Sequence, residues 1–157
     1  MKRVILNIGD AHAVEGAATF TCFGLGSCIG LFLQDRTLDL SGGAHIMLPE
    51  DTTSSHACAG KYYNVRGAID HLLKQFARKG SSLKSIRAKI TGGANVIQSM
   101  YNVGSLNAES TLHHLTRRGV YIAATDVGGF ESRTVNFNTH TGGLNITNPG
   151  RPGERTI

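Results

Sequence analysis

This chain has no tryptophan, only 3 prolines and 3 cysteines, and charged side chains make up just 17% of its 157 residues. Each shortage excludes something. Cys22, Cys28 and Cys58 form no paired framework, so a disulfide scaffold is excluded and a reduced compartment is expected. No apolar run approaches the roughly 20 residues of a membrane-crossing helix. The opening "MKRVILNIGDAH" has too short an apolar run for a secretion signal. Membrane insertion is therefore not expected, and the expected location is cytoplasmic. Lysine and arginine number 16 against 11 acidic residues, but they are scattered, and the densest local pair is Arg117-Arg118. Without basic runs interleaved with aromatics, nucleic acid is not an expected partner. A mildly basic surface does suit an acidic protein partner.

What the chain does have is glycine, 20 residues of it, within a composition that is 40% hydrophobic. That pairing predicts one compact domain with many tight turns and close backbone approaches. The first third reads as strands at 4–8, 18–23, 29–34 and 38–48, the last broken by Gly42-Gly43. Asp35-Arg36 is read as a hairpin turn. Apolar residues at helical spacing predict a helix over 64–79, stopped by Gly80. A second helix is predicted over 107–118, with Asn107 as its N-cap and Gly119 as its stop. Further strands are expected at 85–91, 120–127, 134–138 and 143–147. The fold class expected is α+β: a layered α/β sandwich with mixed sheets, two main helices and a single domain. That domain spans 1–147, and the tail 148–157, with two of the three prolines, is expected to be loosely ordered.

The chemistry centres on "GLGSCIG", residues 24–30, where three glycines surround Cys28. Such a turn lets backbone amides point into a cavity, and amides beside a nucleophile make an oxyanion hole. A thiol attacks as its thiolate and needs a base to form one near neutral pH. His45, in "GGAHIMLP", is the candidate base. Pairing around Asp35-Arg36 places Cys28 opposite about position 43, two residues from His45 and within side-chain reach.

"GLGSCIG" followed by "GGAHIMLP" resembles the CheD family, the chemoreceptor glutamine deamidases of prokaryotic chemotaxis. "GKYYNVRGAIDHLLKQFARKG", "AKITGGANV", "NVGSLNAE" and "TDVGGFESRTVNFNTHTGGL" continue the likeness over about 1–147. The resemblance implies a cysteine hydrolase that converts receptor glutamines to glutamate, with an associated methyl-ester hydrolase activity. Cys28 would be the nucleophile and His45 the general base, with an oxyanion site at Gly26, Ser27 and the backbone amide of Cys28. It also implies two partners, the chemoreceptor and a CheC-type phosphatase. An adaptor that docks that phosphatase with little or no hydrolysis is the alternative reading. No cofactor is implied. The family usually carries a threonine six residues before the nucleophile to orient the histidine. Here that position is Cys22, with Thr21 beside it. Cys22 is the favoured orienting residue and Thr21 the runner-up.

Other constellations carry less. His56 and Cys58 lack metal-ligand spacing with the other cysteines and His45, so no metal is expected. Gly92-Gly93 and Gly128-Gly129 lack the lysine of a phosphate loop and read as tight turns, some of them bordering a substrate groove. Asn95, Val96 and Ile97 read equally as a partner-docking patch or as packing.

Overall fold

The computed structural model describes residues 1–49, 60–97 and 102–157 of the chain. Three layers stack in the order sheet, sheet, helices. The first sheet runs β1(Lys2–Ile5), β3(Ala18–Leu25), β8(Arg133–Asn138), β9(Leu144–Thr147) and β10(Glu154–Thr156). The second runs β2(Ala11–Glu15), β5(Leu40–Ile46), β4(Ile29–Asp35), β6(Ile86–Gly92) and β7(Tyr121–Val127). Each sheet is mixed: β1 pairs parallel to β3 and β6 parallel to β7, and the other pairs are antiparallel. Helices α1(Val65–Arg78) and α2(Val103–Arg117) cover the outer face of the second sheet. This is the expected α+β sandwich.

The central strand β4 is buried along its whole length because both its faces are covered. Alternation assigns the faces. Ile29, Leu31 and Leu33 pack with Ile69, Leu72 and Phe76 of α1. Phe32 points the other way and joins Leu6, Phe20, Cys22, Val135 and Phe137 between the sheets. Its ring stacks on Phe137 with centroids 5.2 Å apart. Cys28 and His45 also belong to this interlayer, so the site is built where two sheets meet.

α1 begins where Asn64 accepts a 2.7 Å hydrogen bond from the Gly67 amide, and Gly80 closes it at φ 88°. Four readings change. The break expected at Gly42-Gly43 is absent, and β5 is continuous. Those glycines serve close packing: a Cβ on Gly42 would lie 2.9 Å from the Phe76 ring, and one on Gly43 2.8 Å from Leu6. The β4–β5 loop holds four residues between Asp35 and Leu40, not two. The Asp35 carboxylate builds it by accepting from the Thr37 amide and hydroxyl. α2 starts at Val103, four residues early, which leaves Asn107 inside the helix and fully buried. Finally, the tail carries β10, paired antiparallel with β9. Its order comes from ladder hydrogen bonds and from Arg155, which grips Asp126; its exposed side chains gave the sequence no apolar signal. Strand β2 was likewise unpredicted, being short and half-exposed at a sheet edge.

Candidate active site

The β4–β5 ladder ends at the pair Ile29↔Ile46. One step further, Cys28 stands level with Met47. His45, opposite Gly30, is therefore the diagonal neighbour of Cys28 on the same face. The register differs by four residues from the one expected. The thiol and the imidazole still fall two positions apart, from the other side.

His45 is buried and held on every side. Its backbone amide donates to the Asp10 carbonyl at 3.0 Å, and its carbonyl accepts from Gly9 at 2.9 Å. Its ring Nδ1 lies 2.9 Å from the carbonyl oxygen of Leu6. A carbonyl can only accept, so Nδ1 carries the proton and Nε2 keeps its lone pair. Burial pushes the imidazole pKa below its ordinary value, against the opposing pull of the Leu6 bond and the Asp10 charge. The ring is thus neutral near pH 7, in the tautomer a base requires. Asp10 is paired with Lys61. Burial raises its carboxyl pKa, but the Lys61 ion pair and the Asn7 amide more than reverse that and hold it below its ordinary value.

Cys28 is half-buried and packs against the interlayer cluster. Burial pushes its thiol pKa above the ordinary value. The resting sulfur is a thiol, and it would have to lose its proton in order to act as a nucleophile.

Cys22 is completely buried among Leu6, Phe20 and Leu25. Burial, with the neighbouring Cys28 and Asp10, holds its thiol far above the ordinary range. Thr21 points to the opposite face of the first sheet and donates its hydroxyl hydrogen bond to Asn136 at 2.7 Å. That removes the runner-up. The group that receives the His45 Nδ1–H is the Leu6 backbone, which no side-chain pattern could reveal.

The glycine turn is anchored by its carbonyls. Gly26 accepts from Ala94 and Cys28 from Gly93, both at 2.9 Å. Ser27 accepts from a side chain of α2. The amides of Gly26, Ser27 and Cys28 donate no backbone hydrogen bond to the described residues; unpaired donors of this kind are the groups an oxyanion needs. Beside the turn lies a cavity of about 540 Å³, lined by Gly26, Ser27, Asn95, Val96, Ile97 and Ser132 among others. Neither Cys28 nor His45 lines it; Cys28 follows the lining residue Ser27 directly. Val96 and Ile97 of its lining stand exposed, and Phe130 stands exposed in a separate pocket with Gly128 and Gly129. The Gly128-Gly129 turn is stitched in by Gly128 N to Gly92 O and Asn95 N to Gly129 O, both 2.9 Å. Buried Arg133 secures it by donating to the Asp126 carbonyl at 2.6 Å and to Gly128 O. Among the described residues, no group of three His, Cys, Asp or Glu side chains is placed to hold a metal ion. His56 and Cys58 lie outside the described residues.

Residues 47–148 match the family model CheD, chemotactic sensory transduction. The chain belongs to the CheD family. It is 32% identical over 151 residues to "Chemoreceptor glutamine deamidase CheD" of Thermotoga maritima, covering 96% of this chain and 94% of that protein. It is 36% identical over 160 residues to "Probable chemoreceptor glutamine deamidase CheD" of Archaeoglobus fulgidus, covering 99% of both. The CheD protein of Halalkalibacterium halodurans is 32% identical over 148 residues, 91% of both chains. The likeness to these CheD proteins thus runs through the Cys28 turn and β5, whereas the family model begins just past His45. No helix among the described residues is long and apolar enough to cross a membrane.

Proposed function

We propose that this CheD protein is a cytoplasmic chemoreceptor glutamine deamidase in which Cys28 is the nucleophile and His45 the general base. The observation that carries the chemistry is the Leu6 carbonyl on His45 Nδ1, which leaves Nε2 free on the face shared with Cys28. Membership of the CheD family carries the substrate.

The steps follow from those two residues. His45 Nε2 takes the Cys28 proton as Sγ attacks the glutamine carboxamide carbon. The carbonyl oxygen becomes an oxyanion facing the free amides of Gly26, Ser27 and Cys28. The tetrahedral species collapses, the C–N bond breaks, and His45 returns its proton to the leaving nitrogen, releasing ammonia. A water deprotonated by Nε2 then attacks the thioester, releasing glutamate and restoring the thiol. A methyl ester would enter the same path and release methanol. Net charge +5 suits the surface to acidic receptor helices.

A second reading is supported by the exposed Val96 and Ile97 in the cavity lining: the same face would dock a CheC-type phosphatase. The test is mass spectrometry of a chemoreceptor cytoplasmic fragment incubated with wild type, Cys28→Ala and His45→Ala. Wild type adds about one dalton per converted glutamine and the variants none. Equal conversion by Cys28→Ala sinks the hydrolase assignment, and no conversion by any of the three favours the adaptor.

A further inference from the structure

Asn107 lies in the second turn of α2 and is completely buried. Its amide nitrogen donates to two carbonyls, Ser27 O at 2.7 Å and Met47 O at 3.0 Å. Ser27 immediately precedes Cys28, and Met47 lies two residues past His45. The β4–β5 ladder stops at Ile29↔Ile46, so these carbonyls sit just past its last pair. One side-chain amide, with two donors on one nitrogen, takes over where the backbone ladder ends.

Nothing else about the position favours asparagine. It is a poor residue for a helix interior. Its Oδ1 is buried with no partner among the described residues, which costs stability. The helix that carries it has little slack. A Cβ on Gly104 would collide with the backbone carbonyls of Gly93 and Ala94, and the Thr111 hydroxyl donates to the Asn107 carbonyl at 2.8 Å. α2 is thus seated on the same loop that holds the Cys28 and Gly26 carbonyls.

We propose that Asn107 is a positioning residue for the hydrolysis, clamping the Cys28 turn to the end of β5 so that the thiol stays beside the His45 imidazole. The proposal rests on Cys28 and His45 carrying the chemistry. Asn107 touches neither reacting atom; it fixes the backbone on either side of them. A displacement of about 1 Å at such a site costs on the order of 100-fold in rate.

The test compares Asn107→Leu and Asn107→Ser with Ile69→Ala, a variant destabilised in the α1 core away from the site, on a chemoreceptor cytoplasmic fragment. Asn107→Leu is expected to lower kcat about 100-fold with KM within about threefold, and Asn107→Ser, which keeps one donor, about tenfold. Ile69→Ala should keep its kcat. The rate of iodoacetamide labelling at the Cys28 peptide should fall in the same order as kcat. If Asn107→Leu does not fold, Asn107→Ser decides. Asn107 variants whose kcat matches that of Ile69→Ala overturn the proposal. Cys28→Ala, run alongside, separates the two failures. If it still converts glutamine, the nucleophile assignment falls and this proposal with it. If it is inactive while the Asn107 variants stay active, only the role of Asn107 falls.

Discussion

The Leu6 carbonyl oxygen sits 2.9 Å from Nδ1 of His45, and this bond fills the post that a side chain was expected to fill. The neutral ring needs one acceptor on Nδ1, and the backbone supplies it from an interlayer position beside Cys22. Restoring a hydroxyl at position 22 adds no acceptor the ring lacks. Cys22→Thr and Cys22→Ala are therefore both expected to keep kcat within about threefold of wild type, whereas His45→Ala loses about 10²–10⁴-fold, the usual range for a general base. Steady-state assays of glutamine conversion check this. A gain of tenfold or more in Cys22→Thr would mean that the imidazole is poorly oriented without it.

Burial moves the proposed nucleophile and base in opposite directions. It lowers the His45 pKa and raises that of Cys28, so both are neutral at rest. The acid limb of the kcat/KM profile reports His45 in the free enzyme and is expected below about 6.5, the ordinary imidazole value. Labelling of Cys28 by iodoacetamide should keep rising above pH 8.5 rather than level off near neutrality. Stability follows the same sign. Between the lowered folded value and 6.5 the unfolded chain binds more protons, so stability falls as pH drops through that window. His71 acts likewise, its pKa lowered by burial and by neighbouring cations. Urea midpoints at pH 7 and pH 5 should therefore differ less in His45→Gln than in wild type. An unchanged difference would show that His45 titrates normally.

Gly92 adopts φ 104°, and a Cβ there would strike the Cys28 carbonyl. A side chain at this position strains its own backbone and pushes the Cys28 turn away from β6. Gly92→Ala is expected to lose about 1–3 kcal/mol of stability and at least tenfold in kcat, because the displaced turn carries both the thiol and the free amides. Gly24→Ala is the comparison: its φ is 59° and its Cβ meets open space, so it should lose stability by a similar mechanism and keep more of its activity. Thermal melts with parallel assays decide the matter.

The strands and helices were legible because their apolar residues recur at the right period, as in α1, where Ala68, Ile69, Leu72, Leu73 and Phe76 are all buried. The Cys28–His45 pair was legible because a short hairpin must bring its ends together. Its loop length was misread, and the diagonal survived only because the shift was an even number of residues, which keeps both side chains on the same face. Three features had no readable signal. The Leu6 carbonyl belongs to the backbone, so residue identity says nothing of it. Asn107 looked like a helix cap because asparagine favours caps; only the packing of Gly104 against Gly93 and Ala94 shows that the helix begins earlier. β10 pairs through its backbone, and its exposed side chains, Arg155 on Asp126 included, follow no apolar pattern.

Val96 and Ile97 are 50% and 81% exposed where they line the cavity beside the Cys28 turn. Isolated exposed apolar residues need no explanation, but two adjacent ones at one opening form a surface that a partner can cover. If Cys28 is the nucleophile as proposed, a receptor helix that reaches it across this cavity covers these residues. Val96→Glu and Ile97→Glu should leave the melting temperature within a few degrees of wild type, since exposed substitutions change stability by only about 0.5 kcal/mol. Glutamate at the rim should also repel an acidic receptor helix. KM for the receptor fragment is expected to rise about tenfold with kcat nearly unchanged, the signature of lost binding rather than lost chemistry. Small-molecule alkylation of Cys28 should stay at the wild-type rate, because iodoacetamide does not need the rim. If alkylation and KM change together, the substitutions have disturbed the turn itself; if neither changes, the receptor approaches Cys28 from another side.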